Sequence, residues 1–380
     1  MKVPGLCLSV LPPLAALVLL GMILGLLAGC YTLKQGAAML GYLGRAVPLE
    51  KLAAEDQGGT DETRAFVERI RDIRRFALEE LGLRESKNYT RYVEIDRDYL
   101  AAVVSASAAD SFTRHEWHFP VVGTVPYKGF FDPRDARKEA ARLREAGLDV
   151  WIRGVEAFST LGWFRDPLYS YMKHYSDYRL ADLLIHELLH ATVFIRGQVQ
   201  FNEQLAEFTG TLGGRLYIES RFGRDSREYR AIDNEAADAA AFRVFLGELN
   251  ARLEAVYADA ALEREEKLAA KAEIIQAGQK RFEAEYESRF QSENYRGFSQ
   301  IQVNNAYLDL YRLYYGEDRF FADLYNGMAD SGLAEKSGAG NTDPEIFRLR
   351  AFIAAAASLN GSAAARRDPR RALRAALAGS

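Results

Sequence analysis

The stretch ADLLIHELLHATVFIRGQVQFNEQLAEF, residues 181–208, places two of the five histidines of the chain among leucines and phenylalanines. His186 and His190 are four residues apart. A helix stacks side chains at this spacing on one face, so both imidazoles can reach a single metal ion. Zinc readily takes imidazole nitrogen, but a catalytic zinc site has three protein ligands and one open position. The third ligand must therefore come from another element.

Glu203 is the predicted third ligand, because it follows the histidines on a second predicted helix. We expect Gly197 to end the first helix and Asn202 to cap the second one. An antiparallel pair of helices with a short link would return Glu203 to the histidines. Glu207 lies one turn further along the same face and is the competing ligand.

Glu187 follows His186 directly and therefore points beside the metal rather than at it. There it would take a proton from a water molecule activated by the metal and later deliver it to the leaving amine. This is the chemistry of His-Glu-x-x-His on a helix. The competing interpretation is a buried network of histidines and carboxylates without metal. Such a network would bury surplus negative charge at a high desolvation cost, so the metal interpretation is favoured.

The whole chain has the composition of a globular protein. Its 380 residues are 48% apolar and 27% charged, which is sufficient for a substantial hydrophobic core. The formal net charge of -4 favours neither nucleic acid nor an anionic membrane surface as a partner.

Residues 1–29 are typical of a secretory signal peptide. Lys2 precedes a nearly continuous apolar run at 11–27, and the sequence Leu27-Ala28-Gly29-Cys30 follows. This end resembles the lipobox of bacterial lipoproteins, which predicts that Cys30 carries a lipid. A plain transmembrane anchor is the alternative. Both place the rest of the chain outside the cytoplasm, in the bacterial cell envelope.

The residue after the lipobox cysteine bears on the destination within the envelope. Tyr31 at this place resembles the sorting signal for the outer membrane, so we expect a lipid-anchored protein that faces the periplasm. Removal of Cys7 with the signal peptide leaves Cys30 as the single cysteine. The mature protein would therefore lack disulfides and depend on packing, or on a metal, for its stability.

The fold class is predicted to be α+β and mostly helical, with a small sheet in the N-terminal half and a helical C-terminal half. Strand-like runs occur at 92–95, 117–125 and 149–158. The predicted units are a signal peptide (1–29), an α/β part with the zinc-binding helices (30–226), a charged helical hairpin (227–290), a helical C-terminal part (291–360) and an Arg-rich tail (361–380).

A family resemblance supports this interpretation. The motif at 186–190 with Asn202-Glu203-Gln204-Leu205-Ala206 resembles the gluzincin metallopeptidases. The short gap between His190 and Glu203 is similar to that in a family of bacterial lipoproteins described as aminopeptidases. Further similar stretches are VPYKGFF (125–131), AFSTLGWF (157–164) with Asp166-Pro167, and NNAYL (304–308). The resemblance reaches from the lipobox to about residue 320. It implies a zincin-like fold, one zinc ion per chain and peptide substrates.

The resemblance also implies roles for single residues. In thermolysin-like enzymes, an acid one turn after the ligand glutamate orients the first zinc histidine, which assigns that role to Glu207. Relatives carry cysteines where this chain has His118 and Thr124, so a bridge has been lost here. An aminopeptidase needs an anion for the substrate ammonium group, and Glu156 is a candidate. A residue exposed on a strand is the alternative for Glu156.

The sequence leaves the residue that stabilises the transition state open. Tyr307 and Tyr311 are candidates as hydrogen-bond donors, and their spacing equally suits core packing. His115, His118 and His174 are expected to be structural or surface residues, since none has a partner at helical ligand spacing.

Three functions fit the sequence. The first is a zinc aminopeptidase of the cell envelope with Glu187 as general base. The second is a zinc endopeptidase of the same fold, which would cleave peptides with blocked N-termini. The third is a zinc-stabilised scaffold lipoprotein, whose role would need residues 227–290 but not Glu187.

Overall fold

A computed structural model of the chain describes residues 31–53, 60–119, 123–155, 166–312, 319–328 and 343–378. The helices in these ranges are α1 (31–45), α2 (Leu49–Ala53), α3 (Asp61–Arg75), α4 (Pro133–Glu145), α5 (Asp177–Thr192), α6 (Val199–Phe222), α7 (Arg227–Ala258), α8 (Arg264–Arg289), α9 (Asn305–Arg312), α10 (Phe320–Gly327), α11 (Pro344–Ala357), α12 (Ala363–Arg367) and α13 (Pro369–Ala378). The strands are β1 (Val47–Pro48), β2 (Arg91–Val93), β3 (Ala101–Ala108), β4 (Trp117–Phe119), β5 (Gly123–Val125), β6 (Lys128–Phe130), β7 (Leu148–Val155) and β8 (Leu168–Tyr169). The fold is α+β and mostly helical, as the sequence predicts. No helix in the described ranges has the length and apolar character needed to cross a membrane.

Side-chain caps fix where several helices begin. Thr60 accepts a hydrogen bond from the Thr63 amide at the start of α3, and Asp132 and Ser176 cap α4 and α5 in the same way. These contacts satisfy amides that have no partner within the helix. The start of α5, which carries the predicted zinc histidines, is therefore set by its own sequence.

β3 is the middle strand of the main sheet, with β6 and β7 antiparallel on either side. Ala102, Val104 and Ala106 of β3 share a core with α4, and α9 also packs on the strand. Because β3 is buried along almost its whole length, its sequence AAVVSASA lacks the alternation of a half-exposed strand. β3 is therefore absent from the strands that the sequence predicts.

Two smaller β-structures complete the N-terminal half. β1, β2 and β8 form a three-stranded sheet, and β4 pairs with β5. His118 and Thr124 lie directly opposite each other in the β4–β5 pair. These are the positions at which the sequence resemblance implies cysteines in relatives. Directly paired residues in adjacent strands are close enough for a disulfide.

α1 lies against this half of the molecule. The Tyr31 hydroxyl donates to the carbonyl of Gly129, and the Phe131 amide donates to Gln35 Oε1 at 2.9 Å. The Tyr31 ring packs against Phe119 and Phe130. The first described residue is therefore already part of the folded body.

α5 and α6 lie in the largest hydrophobic core, together with α3, α10 and α11. Leu184 and Leu188 of α5 are buried there beside Ile70 of α3. The two C-terminal helices join the same core through Ala365 and Leu373, which are both fully buried. The Arg-rich tail therefore packs on the body through its apolar side.

α7, α8 and α9 surround a second core, which is rich in aromatic residues. Its buried members include Phe242, Phe282 and Phe298. Lys271 of α8 donates to Asp149 Oδ2 of β7 at 2.6 Å. The backbone N–H of Asn305 donates to the same oxygen at 2.7 Å. The charged segment is thus a helical hairpin that contacts the main sheet, while the domain boundaries given above stay a prediction.

Candidate metal centre

α5 carries both histidines on its side next to α6. His186 and His190 are one turn apart, and their Nε2 atoms are 3.2 Å from each other. The rings stand nearly at right angles, with centroids 4.9 Å apart. Both nitrogens therefore point toward one place, as the spacing predicts.

α6 brings Glu203 to that place. Glu203 Oε2 lies 3.7 Å from His186 Nε2, and Oε1 lies 3.6 Å from His190 Nε2. One ligand atom from each of the three residues fits within 4.8 Å of the others. The expected convergence of the two helices is thus present in the structure.

The connection between α5 and α6 differs from the expected one. α5 ends at Thr192, and Gly197 lies within the connection at φ 81°, where glycine is favoured. Asn202 does not cap α6, which begins at Val199. The buried side-chain amide of Asn202 instead forms two hydrogen bonds of 3.0 Å with the backbone of Ile195. Its Oδ1 accepts from the Ile195 N–H, and its Nδ2 donates to the Ile195 carbonyl. Asn202 therefore fixes the connection, and with it the position of Glu203.

Three glycines of α6 allow this helix to lie directly on α5. A Cβ atom at Gly210 would be 2.8 Å from the backbone oxygen of Asp182, and one at Gly214 would be 3.0 Å from its nitrogen. At Gly213 the nearest atoms would belong to Ile185, at 3.0 Å. Glycine in a helix costs about 1 kcal/mol relative to alanine. Here it gives the close approach that brings Glu203 within reach of the histidines.

The donor set fits a zinc ion. Zinc bonds of about 2.0–2.1 Å at a tetrahedral angle separate two ligand atoms by about 3.3–3.4 Å. The observed separations of 3.2, 3.6 and 3.7 Å bracket this value. The Glu203 side chain is 46% exposed, whereas the His190 side chain is 17% exposed. One side of the cluster is therefore open to solvent, as a fourth ligand would require.

The imidazoles are in the protonation state that binds metal. Burial and the neighbouring His190 lower the pKa of His186 to about 4. Burial also lowers the pKa of His190, against the opposing charge of Glu203. Both rings are therefore neutral at pH 7 and offer a lone pair.

Glu187 lies beside the cluster and is only 6% exposed. The pKa of Glu187 is raised to about 7, mainly by burial and then by the charges of Asp166 and Glu203, against an opposing effect of the Tyr89 hydroxyl. A carboxyl group with this pKa exchanges a proton readily at neutral pH. Both Tyr89 and Asp166 are distant from Glu187 in the sequence, so spacing along the chain does not connect either residue with it.

Glu207 has a different position from that of Glu203. It is exposed, and no hydrogen bond between Glu207 and His186 exists in the described structure. Its charge, after burial, is a cause of the raised pKa of Asp182, which is about 6. Asp182 lies one turn before His186. The orienting role of Glu207 stays a prediction.

Other candidates from the sequence lie elsewhere. Tyr307 and Tyr311 belong to the second core, where their hydroxyls are 3.4 Å apart. The Tyr307 ring packs on Trp151 at 4.8 Å, which accords with core packing. Glu156 and Cys30 lie outside the described residues, so the structure places neither one. His115 stacks edge-on against Trp117, away from the histidine pair of α5.

The C-terminal helices border the start of α6. Arg370 Nη2 donates to Gln204 Oε1 at 3.1 Å, and Gln198 Nε2 donates to the carbonyl of Arg366 at 2.9 Å. One contact is made by the residue next to Glu203 and the other by the residue that precedes α6. The tail thus supports the site, a role that its composition did not predict.

Comparison with known families agrees with this geometry. The family described as "Putative aminopeptidase" matches residues 30–369. The chain belongs to this family. The match continues well past residue 320, where the resemblance seen in the sequence ended, and it includes the helical hairpin at 227–290. No curated protein and no solved structure matches the chain.

Proposed function

We propose that the protein is a zinc-dependent peptidase that removes N-terminal residues from peptides. One observation carries the proposal, namely the convergence of His186, His190 and Glu203 with Glu187 buried beside them. Two imidazoles and one carboxylate are a donor set that suits zinc. Membership of the aminopeptidase family supports a peptide as the substrate.

A zinc ion held by His186, His190 and Glu203 would supply a Lewis acid that activates water and polarises the peptide carbonyl. Glu187 does the proton chemistry. Its carboxylate form accepts a proton from the attacking water, and its acid form returns that proton to the nitrogen of the leaving amine. The pKa of about 7 makes both forms accessible at neutral pH.

The test compares two variants, Glu187→Gln and Glu203→Gln. Glu187→Gln should lower kcat/KM by about 100-fold to 10,000-fold, since a general base contributes that much, while one zinc ion per chain remains bound. Glu203→Gln should lose the zinc together with the activity. Metal analysis and hydrolysis of unblocked peptides measure both. A Glu187→Gln protein that cleaves as fast as the wild type would contradict the mechanism.

The family description favours an aminopeptidase over the endopeptidase interpretation. Peptides with acetylated N-termini separate the two. An aminopeptidase requires the free ammonium group and should leave them uncut. Cleavage of the acetylated peptides at a rate similar to that of the free ones would establish the endopeptidase instead.

We also propose that a lipid on Cys30 holds the protein at the outer membrane, facing the periplasm. Support comes from the chain next to the lipobox. Leu33 and Leu40 are seven residues apart and therefore lie on the same face of α1. Their exposed fractions are 73% and 59%. The sequence has no acidic residue before Glu50. An apolar face without negative charge suits a membrane surface.

Palmitate labelling in bacterial cells tests the lipid anchor. The wild type should incorporate label and fractionate with the outer membrane. Cys30→Ala should do neither, because the thiol that accepts the lipid is absent. Equal labelling of the two proteins would exclude Cys30 as the attachment site.

A further inference from the structure

α5 ends without the glycine that commonly terminates a helix. Thr192 is its last residue, and Val193 follows in an extended conformation, with its amide donating to the carbonyl of Leu189 at 2.7 Å. The last carbonyl groups of a helix have no partner within that helix and need one from elsewhere. Because His190 lies in this last turn, the group that satisfies these carbonyls also affects the position of a metal-binding ring.

A partner for this helix end comes from the C-terminal part of the chain. Asn360 Nδ2 donates to the carbonyl of Thr192 at 2.8 Å, and Asn360 Oδ1 accepts from the backbone N–H of Phe194 at 2.9 Å. The two bonds pair one side-chain amide with the backbone on both sides of Val193. Asn360 therefore caps α5, although 168 residues separate it from Thr192.

The backbone of Asn360 is itself fixed. Asn360 lies in the turn after α11, where its backbone N–H donates to the carbonyl of Ala357 at 3.2 Å. The preceding residue, Leu359, is buried in the largest core. Gly361 follows with a φ of 77°, where glycine is favoured. The cap is thus attached to the packed body of the protein.

Two asparagines hold the connection between α5 and α6. The side chain of Asn202, from α6, binds the backbone of Ile195, and the side chain of Asn360 binds the backbone just before it. This connection joins the helix of His190 to the helix of Glu203. The two asparagines therefore help to determine how these two ligands face each other.

We propose that Asn360 is a positioning residue of the metal centre, which caps α5 and so keeps His190 where it converges with His186 and Glu203. The proposal rests on the proposed function, because it requires a metal that these three side chains bind. Without the cap, the last turn of α5 opens more often, and fewer molecules have all three ligands in place. The apparent affinity for zinc falls by the same factor as this fraction.

The test measures the zinc affinity of the full-length protein by titration against a chelator of known affinity. Asn360→Ala removes both bonds and should lower zinc affinity about threefold to tenfold, since each bond of this kind contributes modestly. Asn360→Asp keeps the size and the acceptor but loses the donor to Thr192, and its charge is unfavourable at a helix C-terminus. It should therefore lower zinc affinity at least as much. A role in packing alone predicts that Asn360→Asp binds zinc as the wild type does.

Asn304→Ala is the matched control. Asn304 Nδ2 donates to the carbonyl of Val150 at 3.1 Å, and Asn304 Oδ1 accepts from the backbone N–H of Tyr307 at 3.0 Å, so this pair of bonds lies between β7 and α9. Its loss should lower the urea midpoint of the metal-free protein and leave zinc affinity unchanged. Wild-type zinc affinity in Asn360→Ala would overturn the proposal. An equal loss of affinity in Asn304→Ala would also overturn it, because the effect would then be one of general stability.

Failure of the proposed function itself is distinguishable. If the wild type binds no zinc, hydrogen exchange of the metal-free proteins decides whether Asn360 holds the end of α5. The Val193 amide, which closes the last turn of α5, should exchange about threefold to tenfold faster in Asn360→Ala than in the wild type. An unchanged exchange rate would overturn the positioning role, whatever the site binds.

Discussion

The α5–α6 pair and the α7–α8 pair are both helical hairpins with short connections, yet their helices meet differently. α6 meets α5 through Gly210, Gly213 and Gly214, so that backbone lies on backbone. α7 meets α8 through large side chains such as Phe242 and Phe282, whose rings are 5.7 Å apart. The same element type therefore gives a candidate metal site in one place and an aromatic core in the other.

The two interfaces treat charge differently as well. The α5–α6 pair buries ionisable groups, and burial is the largest cause of the shifted pKa values of His186 and Glu187. The α7–α8 pair carries exposed ion pairs, such as that of Arg281 and Glu248 at 2.7 Å. Its one fully buried acid among the described residues, Asp238, accepts hydrogen bonds from the backbone amides of Gln291 and Ser292. Close contact between α5 and α6 therefore accompanies the burial of the ionisable groups at the candidate metal site.

Gly210→Ala should have the largest effect, because it disturbs the close contact between α5 and α6. The new Cβ would lie 2.8 Å from the backbone oxygen of Asp182, which cannot rotate away, so α6 must move. Overpacking of this kind costs about 1–3 kcal/mol of unfolding free energy. Zinc affinity should fall at least about tenfold, because Glu203 leaves the histidines. Urea unfolding and zinc titration measure the two effects.

Gly278→Ala is the control from the other hairpin. Its Cβ would meet only the end of the Leu249 side chain, at 2.9 Å, and that side chain can change rotamer. Alanine gains up to about 1 kcal/mol of helix propensity, so stability should stay within that range. Zinc affinity should not change. An equal loss of zinc affinity in both variants would show that close contact between α5 and α6 does not form the site.

Asp182 provides a smaller and pH-dependent test. Its pKa of about 6, against an ordinary 3.8, means that the folded protein binds this proton more tightly than the unfolded chain does. Its contribution to stability is therefore favourable at low pH and is lost as the pH rises from about 4 through 6. Metal-free Asp182→Asn should gain about 2 kcal/mol on the wild type between pH 4 and pH 7.

Urea unfolding of both metal-free proteins at the two pH values gives this difference. Arg281→Ala in the α7–α8 pair serves as the reference, because an exposed ion pair contributes at most about 1 kcal/mol at either pH. If the difference between Asp182→Asn and the wild type is the same at pH 4 and pH 7, the buried carboxyl group does not distinguish the two hairpins.

The local part of the site could be predicted from the sequence. His186 and His190 needed only helical spacing, and Glu187 followed from its place between them. Glu203 needed a second helix that returns, and the short link supplied it. The cause of that return was missed, since Asn202 binds Ile195 instead of capping α6. A polar residue buried in a helix looks the same as a cap in the sequence.

The distant parts could not be predicted. Asn360 follows Thr192 by 168 residues, and only the folded chain joins them. β3 is covered on both faces, so its sequence does not alternate, and its alanines and serines are not typical strand residues. Gly210, Gly213 and Gly214 were a usable signal, since three glycines within one helix indicate close packing against a neighbour.

Anomalous diffraction at the zinc edge tests the central claim most directly. Crystals of the full-length protein with one equivalent of zinc should show a single strong peak between α5 and α6. The peak should lie about 2.0–2.2 Å from the Nε2 atoms of His186 and His190 and from a carboxylate oxygen of Glu203. A zinc-loaded crystal with no peak there, or with the ion bound without Glu203, would contradict the account.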